Sequence, residues 1–215
     1  MAEHSNPAKP TIATRSNGPL LVTGLQHLRN SKGERLTTTA TIALCRCGGS
    51  DNKPFCDGTH RKNGFTDAHA AEREDDKLER YDGPEVTILD NRFLCAHVGE
   101  CTAGLPEVFG SGKDGWITPD GAEDARIREV IGRCPSGALA FSLGSGAAVE
   151  VQREPAITVS KDGPYFVVGG CDLQSDLWGE GASREHYALC RCGQSNNKPF
   201  CDGSHWDAKF TDEKN

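Results

Sequence analysis

Short apolar runs after Gly-Pro pairs punctuate the chain near both ends. Leu20, Leu21 and Val22 follow Gly18-Pro19, and Tyr165, Phe166, Val167 and Val168 follow Gly163-Pro164. Runs of this length bounded by turn residues read as strands. After a polar, variable stretch, a second run leads into a cysteine-rich loop each time, "TIALCRC" ending at 47 and "HYALCRC" ending at 192. The following "NKPFCDG" is turn-rich. Asp57 and Asp202 stand where an N-cap would open one helical turn carrying a histidine. The middle of the chain has a different rhythm. "EVTIL" (85–89) and "ALAFSL" (138–143) are strand candidates. "DGAEDARIREVIGRC" (120–134) predicts a helix, with Asp120 and Glu123 at capping-box spacing and Ile127, Val130 and Ile131 in one apolar stripe. Residues 68–82, "AHAAEREDDKLERYD", are charged without an apolar face and predict a solvated helix or linker. Residues 144–154, "GSGAAVEVQRE", predict a flexible linker.

The likeness of the two ends is a duplication. Adding 145 to each position from 10 to 67 aligns that segment with 155–212 without a gap, and 25 of the 58 positions are identical. The layout expected is therefore α+β: two small β-rich domains at 10–67 and 155–212, linkers at 68–82 and 144–154, and a separate α+β domain at 83–143.

The 215 residues carry a formal net charge of −7, which argues against nucleic acid, since an acidic chain gains nothing from releasing the counterions of a phosphate backbone. No apolar run suffices for a membrane span, and "MAEHSNPAKP" has no secretory pattern, so the expectation is a cytoplasmic protein. In a reducing compartment, ten cysteines clustered with histidines point to metal rather than disulfides.

The clusters repeat with the spacing C-x-C-x8-C-x3-H: Cys45, Cys47, Cys56 and His60, then Cys190, Cys192, Cys201 and His205. Two cysteines one residue apart can reach one ion from a tight turn, and a cysteine and histidine four apart share one side of a helical turn. Three thiolates and one imidazole suit a structural zinc ion or a [2Fe–2S] cluster equally well. Beyond the ligands, both stretches match C-x-C-x2-[ST]-x3-P-x-C-D-G-[STA]-H, with Ser50 and Ser195 at the hydroxyl position and Pro54 and Pro199 at the proline. This pattern resembles the CDGSH iron–sulfur (mitoNEET-like) family, over about half of the chain. The resemblance implies a [2Fe–2S] cluster in each repeat. It implies that Cys45 and Cys47 hold an inner iron and Cys56 and His60 an outer one. It also implies that Asp57 and Asp202 hydrogen-bond around the loop, and that two such domains pair, either within this chain or between two copies. A neutral imidazole in place of a thiolate leaves a cluster less negative, raises its potential, and makes that bond the point of release.

The middle segment holds Cys95, Cys101 and Cys134-Pro135. These fit a ferredoxin run whose second ligand position is Val98. "CAHVGECTAGLPEVF" (95–109), "WITPDGAED" (116–124) and "RCPSGAL" (133–139) resemble the divergent single-cluster ferredoxin domains. Three cysteines suit [3Fe–4S], the reading adopted; [4Fe–4S] needs a fourth ligand, His97 or a group from elsewhere. Cys171, matched by Gln26 in the first copy, is expected in a core, as are His4, His27, His69 and His186. Trp116, Trp178 and Trp206 are expected to pack rather than bind.

With no dinucleotide fingerprint or phosphate loop, the expected role is not catalytic. It is an electron-transfer relay between redox partners, a reductase or oxidoreductase. The alternatives are a carrier or redox sensor that releases [2Fe–2S] to apo-acceptor proteins, and a zinc-stapled interaction scaffold.

Overall fold

The computed structural model describes residues 9–69, 74–112, 115–144 and 146–215. His4 and residues 70–73 of the charged stretch lie outside them. The first repeat supplies β1 (Thr11–Thr14), β2 (Leu20–Thr23), β3 (His27–Arg29), β4 (Arg35–Leu36) and β5 (Thr41–Leu44). The middle supplies β6 (Glu79–Asp82), β7 (Val86–Asp90), α1 (Glu100–Gly104), β8 (Phe109–Gly112), β9 (Gly115–Ile117), α2 (Asp124–Ile131) and β10 (Leu139–Leu143). The second repeat supplies β11 (Ala156–Val159), β12 (Tyr165–Val168), β13 (Asp172–Gln174) and β14 (Tyr187–Leu189). The molecule is mostly sheet with few, short helices, and no helix among the described residues is long and apolar enough to cross a membrane.

The two repeats exchange strands. One sheet runs β13-β1-β2-β5 and the other β14-β12-β11-β3-β4. Thr11 pairs in parallel with Asp172, and Ala156 with His27. Each exchanged strand has three residues and one buried apolar side chain, Leu28 or Leu173. Ile12, Leu20, Val22, Leu28 and Leu44 of the first repeat pack with Ile157, Tyr165, Val167, Leu173, Tyr187 and Phe200 of the second in one core. A fully buried side chain of this size stabilises by about 1.5–3 kcal/mol, so neither sheet keeps its core without the other. Cys171 lies in this core.

The central segment folds on its own sheet, β10-β7-β6, with α2 turning Ile127, Val130 and Ile131 inward against Val86, Ile88 and Leu139. Two sequence expectations are corrected here. The helix begins at Asp124 after Glu123, and no side chain caps it. The residues before it are held in a turn instead, because a Cβ on Gly121 would lie 2.4 Å from the Glu107 carbonyl oxygen. The charged stretch 68–82 ends in strand, not helix: β6 pairs antiparallel with β7, with Tyr81 turned toward the central core. Alternation of one partly buried and one exposed residue is what an edge strand needs.

Candidate metal centres

In each repeat a strand delivers the first cysteine and the chain folds back onto it. Cys45 N–H donates to Pro54 O, and Cys56 N–H to Ala43 O, which sets Cys56 beside the end of β5. Cys190 to Pro199 and Cys201 to Ala188 repeat the clamp. Both loops pass through a cis Lys-Pro bond, at Lys53-Pro54 and Lys198-Pro199. Ser50 Oγ donates to Phe55 O (2.6 Å) and accepts from Asn52 N (3.0 Å). Ser195 does the same with Phe200 O (2.7 Å) and Asn197 N (3.0 Å). Asp57 accepts from Asp51 N (2.9 Å) and Thr59 N (3.0 Å), and Asp202 from Asn196 N (2.7 Å) and Ser204 N (3.0 Å). The aspartates thus brace the loop from both sides. The turn bearing His60 starts one residue later than expected, at Thr59, after Gly58 in the left-handed region (φ 91). In the second repeat the histidine sits in a non-helical turn.

The donors come in pairs. Cys45 and Cys47 sulfurs lie 3.7 Å apart, and Cys56 Sγ lies 3.4 Å from His60 Nδ1. The second copy gives 3.9 Å for Cys190 and Cys192 and 3.5 Å for Cys201 and His205. Among the described residues no three His, Cys, Asp or Glu side chains converge on a single ion position. Each loop thus offers four donors, three sulfurs and one imidazole nitrogen, as two pairs. Backbone N–H groups already point at these sulfurs, from Gly58 to Cys56 and from Gln194 to Cys192, each at 3.4 Å. Within the pairs, the hydrogen bond between the cysteines draws Cys47 down to about 5, and Cys192 also down, while Cys45 and Cys190 are pushed up. Such donors fit a cationic metal, which replaces their protons.

The central cysteines line one small cavity with Arg92, His97, Ser136 and Leu139. Cys95 follows a 3-10 turn, Cys101 rides on α1, and Cys134 lies just beyond α2. His97 N–H donates to Cys95 Sγ (3.4 Å) and Leu139 N–H to Cys134 Sγ (3.5 Å). Burial pushes the Cys95 thiol up to about 11, against the opposing charge of Arg92. The Arg92 guanidinium itself lies over the Trp116 ring, 4.5 Å from its centroid. His97 adopts a positive φ of 52, and its ring rests against Gly203 of the second repeat.

Several residues that shape these loops carry no metal-ligand signal. Arg46, 2% exposed, donates to Gly18 O (2.8 Å), Arg15 O (2.7 Å) and Asp67 (2.8 Å). Arg191 donates likewise to Gly163 O (2.7 Å), Ser160 O (2.8 Å) and Asp212. The "CRC" and "FTD" shared by the copies mark these pairs in hindsight. Tyr165 Oη reaches Cys45 O (2.8 Å) across the repeats, and its counterpart is Leu20, so no repeat signal exists. The two cysteine loops also touch each other. A Cβ on Gly48 would lie 2.4 Å from Cys192 O, and one on Gly193 would lie 2.9 Å from Cys47 O. Trp206 departs from the expectation of packing: it is 60% exposed. Trp178 does pack, edge-on to Tyr187.

Comparison with known proteins agrees with this layout. A family model described as "Iron-binding zinc finger CDGSH type" matches residues 17–61 and 162–206. One described as "Divergent 4Fe-4S mono-cluster" matches residues 81–144 between them. The uncharacterized protein YjdI of Escherichia coli, in strain K12 and in O157:H7, is 36% identical over 61 residues, 28% of this chain and 80% of the relative. No solved structure matches.

Proposed function

The chain belongs to the CDGSH-type iron-binding family, with that domain present twice around a divergent 4Fe-4S mono-cluster domain, and from this premise we propose that it is an electron-transfer relay between redox proteins. In this reading Cys45, Cys47, Cys56 and His60 hold one [2Fe–2S] cluster and Cys190, Cys192, Cys201 and His205 a second. Cys95, Cys101 and Cys134 hold a ferredoxin-type cluster. When bound, such clusters supply centres that gain and lose single electrons without making or breaking substrate bonds. A one-electron donor protein is oxidised, a one-electron acceptor is reduced, and the chain returns to its starting state. The observation that carries the reading is contact between the sites: the loops of the two repeats touch through Gly48 and Gly193, and His97 of the central site touches Gly203 of the second. The net charge of −7 suits transient docking on basic partner surfaces. All ten cysteines are unpaired, which favours a reducing, cytoplasmic setting.

In the central site three cysteines support [3Fe–4S], and His97, which lines the same cavity, is the candidate fourth ligand of a [4Fe–4S] centre. The deciding measurement is iron, zinc and acid-labile sulfide per chain on anaerobically purified protein, with EPR before and after reduction. Two [2Fe–2S] and one [3Fe–4S] give about seven irons, and a [4Fe–4S] centre gives about eight. Zinc in place of iron sinks the relay. A second reading, cluster delivery to apo-acceptor proteins, is favoured at the first repeat, where His60 lines a cleft with Arg15, Arg61 and Phe65 and is half-buried, whereas His205 is 3% exposed.

A further inference from the structure

The central domain and the second repeat meet at several places, among them Phe93 O with Asn197 Nδ2 (2.6 Å) and Asn91 Nδ2 with Glu180 O (2.9 Å), and residues 95–98 make the contact next to the second cysteine loop. Ala96 packs against Cys201 and Ala188. The His97 ring lies against Gly203, where a Cβ would stand 2.9 Å from His97 Cβ. The His97 carbonyl accepts a hydrogen bond from Trp206 Nε1 (3.1 Å), while its N–H donates to Cys95 Sγ (3.4 Å). The Trp206 ring in turn lies 4.9 Å from the ring of its neighbour His205, tilted by 37°. Cys95 sulfur, the two peptide groups around His97, the Trp206 indole and the His205 imidazole thus form one continuous path from a donor of the central site to a donor of the second repeat. The position of Trp206 is held by Arg61 in the first repeat. On the far side of the second repeat, the Gly193 and Gly48 contacts join its cysteine loop to that of the first.

We propose that His97 and Trp206 form the junction coupling the central cysteine site to the second repeat, so that the three sites act in series: central, second repeat, first repeat. This rests on the relay reading and adds an order to it. Each move oxidises one site by one electron and reduces the next by one, with a one-electron reductant at the start and a one-electron protein acceptor at the end. The first repeat, whose His60 borders an open cleft, is the outer end. The indole serves the path with both its N–H and its ring, which is why an exposed tryptophan is held against a peptide carbonyl.

The test uses the full, iron-loaded chain and its Trp206→Ala and Trp206→Phe variants. Iron content and melting temperature are measured on every variant, and rates are compared at equal iron loading. In partly reduced parent protein, EPR relaxation of the second repeat's signal should quicken when the central site is paramagnetic, and the first repeat's signal should respond to the second but not to the central site. A His60→Cys sample identifies the first repeat's signal. After a pulse of dithionite, freeze-quench EPR should show equilibration between the central and second sites slowed severalfold in Trp206→Ala. Trp206→Phe, which keeps a ring and loses the N–H, should be slowed as well. Unchanged equilibration in both variants overturns the junction. A first-repeat signal that responds to the central site as strongly as the second does overturns the order. Intact coupling with no electron passed to a protein acceptor such as a cytochrome sinks the relay reading and leaves the junction standing.

Discussion

Cys190, Cys192, Cys201 and His205 are between 0 and 7% exposed, whereas in the first repeat only Cys45 is buried and Cys47, Cys56 and His60 stand half open. The ligands, their spacing and the braces Ser50 and Asp57 are the same in both copies. The difference comes from what lies outside the motif: the 95–98 segment and Trp206 close over the second loop, and nothing equivalent in sequence follows His60. Identical donor sets can therefore be given different solvent access by a neighbouring domain. Burial disfavours the more negative, reduced state of a cluster. The open site is accordingly expected at the higher potential, which is also the outer end of the proposed series.

The contrast can be broken or sharpened by substitution. The largest effect is expected at the contact the repeats share. Gly48→Ala places a Cβ 2.4 Å from the Cys192 carbonyl oxygen at a φ of 74. The left-handed backbone alone costs about 1–3 kcal/mol, and the overlap of two backbones adds to it. Gly33, equally left-handed but facing open space, should cost only the backbone part when changed to Ala. Denaturant titration of the two variants reads the difference directly.

The next effect compares the two arginine–aspartate braces. Arg191 and Asp212 are both buried, at 0% and 2% side-chain exposure, while Asp67 is 27% exposed opposite Arg46. Removing one partner of a buried pair costs about 3–5 kcal/mol, and less where water can reach the site, as at Asp67. Asp212→Ala should thus unfold well before Asp67→Ala in urea; equal losses would mean the repeats are not as differently packed as described.

Iron release should follow the same order. Under an iron chelator the visible absorbance is expected to decay in two phases, the faster from the first repeat, which His60→Cys identifies by its shifted spectrum. The smallest effect is a pH dependence at Asp67. Burial works against ionisation of Asp67, and hydrogen bonds from Arg46 and the Asn17 N–H outweigh it, holding the carboxyl below its ordinary value. The stability this contributes is present above the ordinary carboxylate range of about 4 and is lost as pH falls through the folded value. The gap between the parent and Asp67→Asn should therefore narrow on the acid side.

Much of this was legible locally. The apolar runs at 20–22 and 165–168 and the strands leading into the cysteines appear where the sequence places them, because a strand of four residues between turns is decided by near neighbours. The exchanged strands were not legible: His27–Arg29 and Asp172–Gln174 contain one buried leucine each, and their partners lie in the other copy. α2 starts later than Asp120 and Glu123 indicate, because the packing of Gly121 on Glu107 overrides the local rule that those two residues satisfy. The four-donor pattern announces its own pairing. The closing of the second site depends on residue 97 meeting residue 206, which no periodicity encodes.

Strand exchange also fixes an order of birth. A chain leaves the ribosome from its N-terminus, and domains ordinarily fold as they emerge. The first repeat cannot do so, because the sheet around β1 lacks its outer strand until Asp172–Gln174 has been made. The central domain, whose strands pair only with one another, is free to close in the meantime. The copy synthesised first must wait for a strand of the second, and its cysteines stay bare thiols while the central segment is built.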